Sequence, residues 1–420
     1  MKILWVKAGG LTPPDTGGKI RSYEILRELA KRHAVTFFSF YAKHPGDAHP
    51  QLTQFFDRVV CIPLEIPIPR SRGETFHFAR HFVSPLPYTV AKHLQPKVVT
   101  ALNGLLESGS YDSIVCDFVV AGGVIPWAHR CPKILFTHNV EAQIWRRHFH
   151  AAPNLVWKAV TWSEYRKMRR YERACLQKAD HVLAVSENDK EEFAKSIARN
   201  RITVIPTGVD TEYFRPATGD GGEPNELVFT GAMDWLPNVD AIHYFARDIL
   251  PLIHKEIPNV RLTVAGRTPS PRLVALAEAD KQIRLTGTVE DIRPFVRGAS
   301  VYIVPLRIGG GTRLKIFEAM AMGKAIVSTT VGAEGLPVTH GKEALITDSP
   351  ELFAGAVISL LREPERRAQL GSAARRLVEQ NYSWRLVTDL FDETLCWVVR
   401  EHGKAASMSP AEPIAQLGVS

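Results

Sequence analysis

Cysteine is scarce in this chain, with five in 420 residues. Cys61, Cys116, Cys131, Cys175 and Cys396 are odd in number, far apart and mostly set in apolar or strand-like stretches. Neither a disulfide framework nor metal-ligand spacing is present, and the five read as reduced packing residues. Long apolar runs are missing as well. A bilayer span needs about 18 to 20 consecutive apolar residues, and the longest candidate, Val119 to Ala128, is interrupted by Gly122, Gly123 and Pro126. A transmembrane helix is thereby excluded. The opening MKILWVKAGG has Lys7 inside its apolar run and no small-residue cleavage site, so it predicts a buried first strand rather than a signal peptide, and a protein kept in the cytoplasm. No RNA-binding signature and no short internal repeat occur, and nucleic acid is not an expected partner.

Length and pattern are what the chain does have. At 420 residues it exceeds what one hydrophobic core organises, and 45% apolar with 23% charged residues is a globular composition. Short β-rich runs alternate with longer helical patterns, the mark of parallel sheets joined by crossovers. Strands are predicted at Lys2 to Val6, Val35 to Phe40, Arg58 to Ile62, Ser113 to Cys116, Lys133 to Thr137 and His181 to Val185, with a helix at Lys19 to Arg32. A second series covers Leu227 to Thr230, Arg261 to Ala265, Ile283 to Leu285, Val301 to Val304 and Ala325 to Ser328. The fold class is α/β, with two doubly wound, Rossmann-like parallel-sheet domains. Residues 207–225, rich in Gly, Pro, Asp and Thr, read as a linker. It separates a first domain, 1–206, from a second, 226–383. A last helix, 384–402, is expected to pack back towards the first domain, and 403–420 to be a disordered tail.

The net charge of +8 points to an anionic partner without choosing one. Between Arg146 and Arg173 eight Lys or Arg stand against two acids. Trp145, Phe149, Leu155, Trp157 and Trp162 are interleaved with them in one expected helical stretch. Such a basic, aromatic helix suits an anionic membrane surface; a solvated helix face is the plainer reading.

Ligands of doubly wound sheets bind beyond the carboxyl ends of strands, so polar clusters just after strands carry the functional signal. Gly17 and Gly18 follow the first strand and enter a helix, where bare N–H groups and the dipole favour an anion. Arg21, in the first turn, opposes that dipole unless an anion is near. Thr137-His138-Asn139-Val140-Glu141 ends another strand: His138 is a candidate to hydrogen-bond a sugar hydroxyl or orient an acceptor, and Glu141 to cap the next helix. The richest run is Gly309-Gly310-Gly311-Thr312-Arg313-Leu314-Lys315-Ile316-Phe317-Glu318, after the strand ending at Val304. Gly310, Gly311 and Thr312 form a candidate anion nest, Arg313 and Lys315 a cationic clamp, and Glu318 a partner for ribose hydroxyls. The run lacks the Gly-Lys-Ser/Thr ending of a Walker A loop. Val204 to Thr211 reads as a hinge entrance with no chemistry of its own.

Several ordered motifs together resemble the retaining glycosyltransferases of the GT-B fold, in family four, which includes many cell-surface polysaccharide enzymes. They are the Gly17-Gly18 loop, the strand end at His138, RYERACLQKADHVLAVSE at 170–187, VIPTGVDTEYFRP at 204–216, FTGAMDWLPNVDAI at 229–242 and GGGTRLKIFEAMAMGKAIVST at 309–329. The resemblance implies two domains facing a central cleft and transfer of a sugar from a nucleotide diphosphate donor. It implies that Glu318 binds the donor ribose, that Gly17 and Gly18 approach the diphosphate or the acceptor, that His138 lies beside the transferred sugar, and that Val289 contacts the nucleobase through its backbone. Retention of configuration follows from the resemblance, with domain closure during turnover. Two departures stand out. Gly310 occupies the place where family members often carry the first of two glutamates, and the loop Gly231 to Pro237 lacks the usual Arg and Lys. Arg313 and Lys315 are expected to supply that charge. No Asp-x-Asp pair occurs, in keeping with leaving-group stabilisation by protein groups, with no metal or other cofactor. The acceptor is expected to be a glycan or lipid-linked intermediate, with peripheral contact to the inner face of an anionic membrane. An epimerase and a noncatalytic GT-B-like binding protein are the alternatives.

Overall fold

The computed structural model describes residues 1–42, 49–67, 71–150, 152, 154–216, 223–308 and 314–408. The chain divides into two compact units, one of Met1–Ile205 with Thr388–Ser420, the other Pro206–Val387.

Unit 1 is built on seven parallel strands: β1 Lys2–Ala8, β2 Ala34–Ala42, β3 Arg58–Leu64, β4 Ser113–Asp117, β5 Lys133–Phe136, β6 His181–Ala184 and β7 Ile202–Val204. Their order is β3-β2-β1-β4-β5-β6-β7. The order reverses between β1 and β4, where open α/β sheets form their ligand crevice. Ile3, Leu4, Trp5 and Val6 of β1 are fully buried, as expected of a central parallel strand covered on both faces. Helix α1, Gly17–Leu29, follows β1. It begins two residues earlier than the sequence predicts, because the first N–H groups of a helix need no intrahelical partner and poor helix formers are tolerated there.

The basic stretch forms two helices rather than one, α2 Glu141–His150 and α3 Leu155–Lys178. Asn154 starts α3 by accepting from Trp157 N at 2.9 Å. They run antiparallel: Phe149 meets Trp162 with ring centroids 5.2 Å apart, and Glu172 accepts from the N–H groups of Glu141 and Ala142. The first turn of α2 is therefore capped by Glu172 and not by its own Glu141. A short helix, α4 Glu187–Ala194, follows β6.

Unit 2 has six parallel strands: β8 Glu226–Thr230, β9 Arg261–Ala265, β10 Ile283–Leu285, β11 Val301–Val304, β12 Ala325–Ser328 and β13 Leu345–Ile346. The order β10-β9-β8-β11-β12-β13 again reverses, between β8 and β11. Helix α5, Leu236–Tyr244, follows β8, and α6, Leu314–Ala321, follows β11. The predicted linker is only partly one. Val209 donates to Tyr382 O at 2.8 Å and bridges to Ser383, and a Cβ on Gly208 would lie 2.5 Å from the Trp384 ring. These backbone contacts fix the start of this segment within unit 2.

The last helix, α7, spans Trp384–Met408, so residues 403–408 are helical where the sequence predicts a tail. Ala405 and Ala406 are good helix formers that extend it. Phe391, Leu395 and Val398 form a buried stripe at helical spacing. Phe391 stacks on Trp5 at 5.6 Å and meets Phe136 edge-on at 5.3 Å. His33 Nε2 reaches Asp392 at 2.6 Å beside Arg32, which pairs with both Asp389 and Asp392.

Candidate functional site

Each sheet carries a polar cluster at the point where its strand order reverses. In unit 1 the register sets Lys7 of β1 opposite Asp117 of β4. Both are buried, and Lys7 Nζ lies 3.0 Å from Asp117 Oδ2. The same oxygen accepts from Trp5 Nε1 at 2.9 Å, while Oδ1 lies 2.7 Å from Nε2 of His138, just past β5. Lys7 also donates to Ser22 Oγ on α1, which in turn donates to the carbonyl of Gly18. Phe118, immediately after Asp117, has a φ of 77°, a backbone conformation costing roughly 1 to 3 kcal/mol for a bulky residue. Burial would push the Asp117 carboxyl up; Lys7 and the hydrogen bonds from His138 and Trp5 outweigh it and hold the group below the usual carboxylate range.

Arg21 is not where an anion would meet it. Its guanidinium is buried, donates to the carbonyls of Thr137 (2.6 Å) and Ile205, and lies over the Phe136 ring at 4.3 Å. The Cβ of a helix residue directs its side chain back along the helix, and here that direction leads to the strand ends. Burial lowers its pKa to about 9 against the attraction of Asp117. Arg21 also approaches His138 Nδ1 at 3.3 Å. With a donor at Nδ1 and a carboxylate at Nε2, the ring is the Nε2–H tautomer, and burial pushes its pKa down to about 4. His138 is thus neutral near pH 7 with both nitrogens used inside the protein, so its expected side-chain hydrogen bond to a sugar is absent from this arrangement. Its ring faces Gly18, where an added Cβ would stand 3.8 Å away. Gly17 and Gly18 form the first turn of α1, above this cluster.

In unit 2, Gly231, Trp235, Pro237, Asn238, Leu306, Leu314 and Lys315 line a cavity of about 220 Å³. Lys315 Nζ donates to Thr230 O and to Asn238 Oδ1, both at 3.0 Å, and sits 3.8 Å over the Phe229 ring. Asn238 Nδ2 in turn holds the carbonyl of Ala232. The Lys315 ammonium therefore shapes the loop after β8 from the side of α6. Gly231 has a φ of 148°, and a Cβ on Gly266 would lie 1.7 Å from Gly231 O, so the loops after β8 and β9 meet backbone to backbone. Trp235 is 60% exposed at the cavity rim.

Glu318 lies one turn into α6, part-buried, and its carboxyl has no hydrogen-bond partner among the described residues. Burial pushes its pKa up to about 7, opposed by Lys315. A carboxyl in this state has acceptor capacity to give to hydroxyl groups. Val289 is half-buried in the loop after β10, two strands and so about 10 Å across the sheet from β8. Gly310, Gly311, Thr312 and Arg313 lie outside the described residues. Sequence reasoning missed Lys7, Asp117 and Ser22, and likewise Asn238, Gly231 and Gly266. The available signal was a lysine inside an otherwise apolar strand and an aspartate closing another.

The model of the family described as "Glycosyl transferases group 1" matches residues 224–363, and that described as "Glycosyltransferase Family 4" matches residues 16–213. An uncharacterized 44.6 kDa protein in the cps region of Klebsiella pneumoniae is 21% identical over 311 residues, 71% of this chain and 78% of that protein. Alpha-maltose-1-phosphate synthase of Mycolicibacterium smegmatis is 24% identical over 299 residues, covering 64% and 74%. Among solved structures, sucrose-phosphate synthase from Thermosynechococcus elongatus superposes with a TM-score of 0.69 at 17% identity, over 96% of this chain and 100% of that one. Anabaena HepE in complex with UDP gives 0.66 at 16%, over 94% and 100%. With two reversing parallel sheets and both family models in sequence order, the chain belongs to the group 1 and family 4 glycosyltransferases of the GT-B fold.

Proposed function

We propose that the protein transfers a hexosyl group, with retention of configuration, from a nucleoside diphosphate sugar bound by unit 2 to a saccharide or lipid-linked saccharide bound by unit 1. The observation that carries the donor half is Glu318, a part-buried carboxyl without a hydrogen-bond partner among the described residues, beside a lysine-walled cavity. On this reading Glu318 accepts from ribose hydroxyls and the backbone near Val289 meets the base. Gly310, Gly311 and Thr312 offer N–H groups to the diphosphate. Arg313 and Lys315 provide the positive charge that the loop Gly231 to Pro237 lacks, so the leaving diphosphate is stabilised by protein groups without a divalent ion.

On the acceptor side, Gly17, Gly18 and the neutral His138 ring form the floor beside the transferred sugar, held rigid by Asp117, Lys7 and Arg21. Relatives support the substrate class: Anabaena HepE has been crystallised with UDP-glucose, and a phosphatidyl-myo-inositol mannosyltransferase of Mycobacterium tuberculosis is 29% identical over 198 residues. No helix among the described residues is long and apolar enough to cross a membrane. A lipid-linked acceptor is favoured by the α2–α3 hairpin, whose tip exposes Leu155 (82%), Val156 (73%) and Trp157 (54%) among cations. Work at the cytoplasmic face of a membrane follows from that reading.

The test is thermal stabilisation by UDP, GDP, ADP and their sugars, since a ligand of the folded state raises apparent stability. One nucleotide is expected to stabilise selectively, and less so after Arg313→Ala or Lys315→Ala. Stabilisation by none of the panel would overturn the donor site and leave a noncatalytic protein of this fold. Nucleotide-sugar consumption without acceptor would indicate an epimerase.

A further inference from the structure

A second cavity, of about 390 Å³, lies in unit 1 at the root of the α2–α3 hairpin, against the end of α4. Its volume is that of a small-molecule site. Arg146 of α2 and Arg169 and Arg173 of α3 line it, the latter two four residues apart and so on one helix face. None of the three has an ion-pair or hydrogen-bond partner among the described residues, and all are exposed. The carboxylates nearby are already committed. Glu192 pairs with Lys195 at 2.5 Å, and Glu172 accepts the first N–H groups of α2. Burial moreover pushes Glu172 up to about 8, so it offers little negative charge near pH 7. Val140, Leu176 and Phe193 give the cavity an apolar floor, and Tyr165 adds a hydroxyl.

Three uncompensated guanidinium groups converging on a concave surface match a multiply charged oxyanion. Each guanidinium can offer two parallel N–H donors to such a group. We propose that this cavity binds a phosphate group, separately from the donor site of unit 2. Two sources share that chemistry: a phospholipid headgroup and a phosphorylated saccharide. The hairpin extends from Glu172 to Leu155, about 25 Å at 1.5 Å per residue, so the phosphate would be held at the base of a projection with an apolar tip.

Hydrogen exchange read by mass spectrometry localises binding, using the full chain and its Arg169→Ala/Arg173→Ala variant. Inorganic pyrophosphate is expected to protect 141–146 and 165–176 in the wild type, with at least tenfold weaker binding at these segments in the variant. Protection at 227–238, in unit 2, should be equal in both proteins. Phosphatidylcholine vesicles with and without phosphatidic acid separate the sources. Protection at the hairpin root by phosphatidic acid but not by pyrophosphate supports a headgroup; protection by pyrophosphate supports a soluble phosphate. The proposal is overturned if no probe protects these segments, or if the variant responds as the wild type does. Because both arginines are exposed and unpartnered, the variant should retain the wild-type Tm, which checks that folding is unaffected.

Discussion

His138 Nε2 lies 2.7 Å from Asp117 Oδ1, and the other oxygen of the same carboxylate holds Lys7 and Trp5. One buried carboxylate thus joins the ends of β1 and β4 to the turn after β5. Asp117→Asn would leave Lys7 buried without its counter-charge, and breaking a buried pair in this way costs about 3 to 5 kcal/mol. Denaturant unfolding is expected to show that loss. The Lys7→Met/Asp117→Asn double variant should recover part of it, because the stranded charge is gone. Additive losses would mean that the two residues are not coupled.

Glu318→Gln removes an acceptor without changing the side chain's size. Nucleoside diphosphate affinity, measured by calorimetry, should fall about tenfold, equivalent to 1.4 kcal/mol. The fold should be retained, since no protein group among the described residues depends on the Glu318 carboxyl for a hydrogen bond, and its backbone bond from Met322 N is untouched. Unchanged affinity would remove Glu318 from the donor site.

Gly266→Ala tests the backbone contact in unit 2. Its Cβ would stand 1.7 Å from Gly231 O, at a φ of 159°. Displacing one loop from the other should cost about 4 kcal/mol or more, read as loss of folded protein or a large drop in denaturation midpoint. A near-normal midpoint would show that these loops separate easily.

Glu172 predicts a pH dependence. Its folded pKa is raised from 4.5 to about 8, chiefly by burial. Above pH 4.5 the unfolded chain releases a proton that the folded chain keeps, so this group's contribution to stability falls as pH rises towards 8. Glu172→Gln carries no such proton and should show a smaller decline in Tm between pH 6 and 9. Parallel declines in the two proteins would place the dependence elsewhere, for instance at Glu141, which burial raises to about 7.

The strand cores were legible because buried parallel strands are continuous apolar runs; β9, β10, β11 and β12 begin and end where the sequence predicts. Strands β7 and β13, of three and two residues, are too short to show a pattern of their own. Glu318 and Lys315 were legible from a local motif. Lys7 and Asp117 were not, because their pairing spans 110 positions and depends on the register between β1 and β4. The basic residues of 146–173 were visible, but not their division between two antiparallel helices. Asn154, placed before an apolar run as an N-cap, was the available sign. Arg21 misled because its position in the helix was read without knowing which way the side chain turns.

The stripe formed by Phe391, Leu395 and Val398 has a consequence for synthesis. Unit 1 covers Trp5 and Phe136 with residues made after all of unit 2. The first strand therefore leaves the ribosome long before the helix that shields it exists, whereas unit 2 is complete in one continuous stretch. During translation the second unit can close first, and the N-terminal sheet carries an uncovered aromatic face that a chaperone would recognise until the shielding helix has been made.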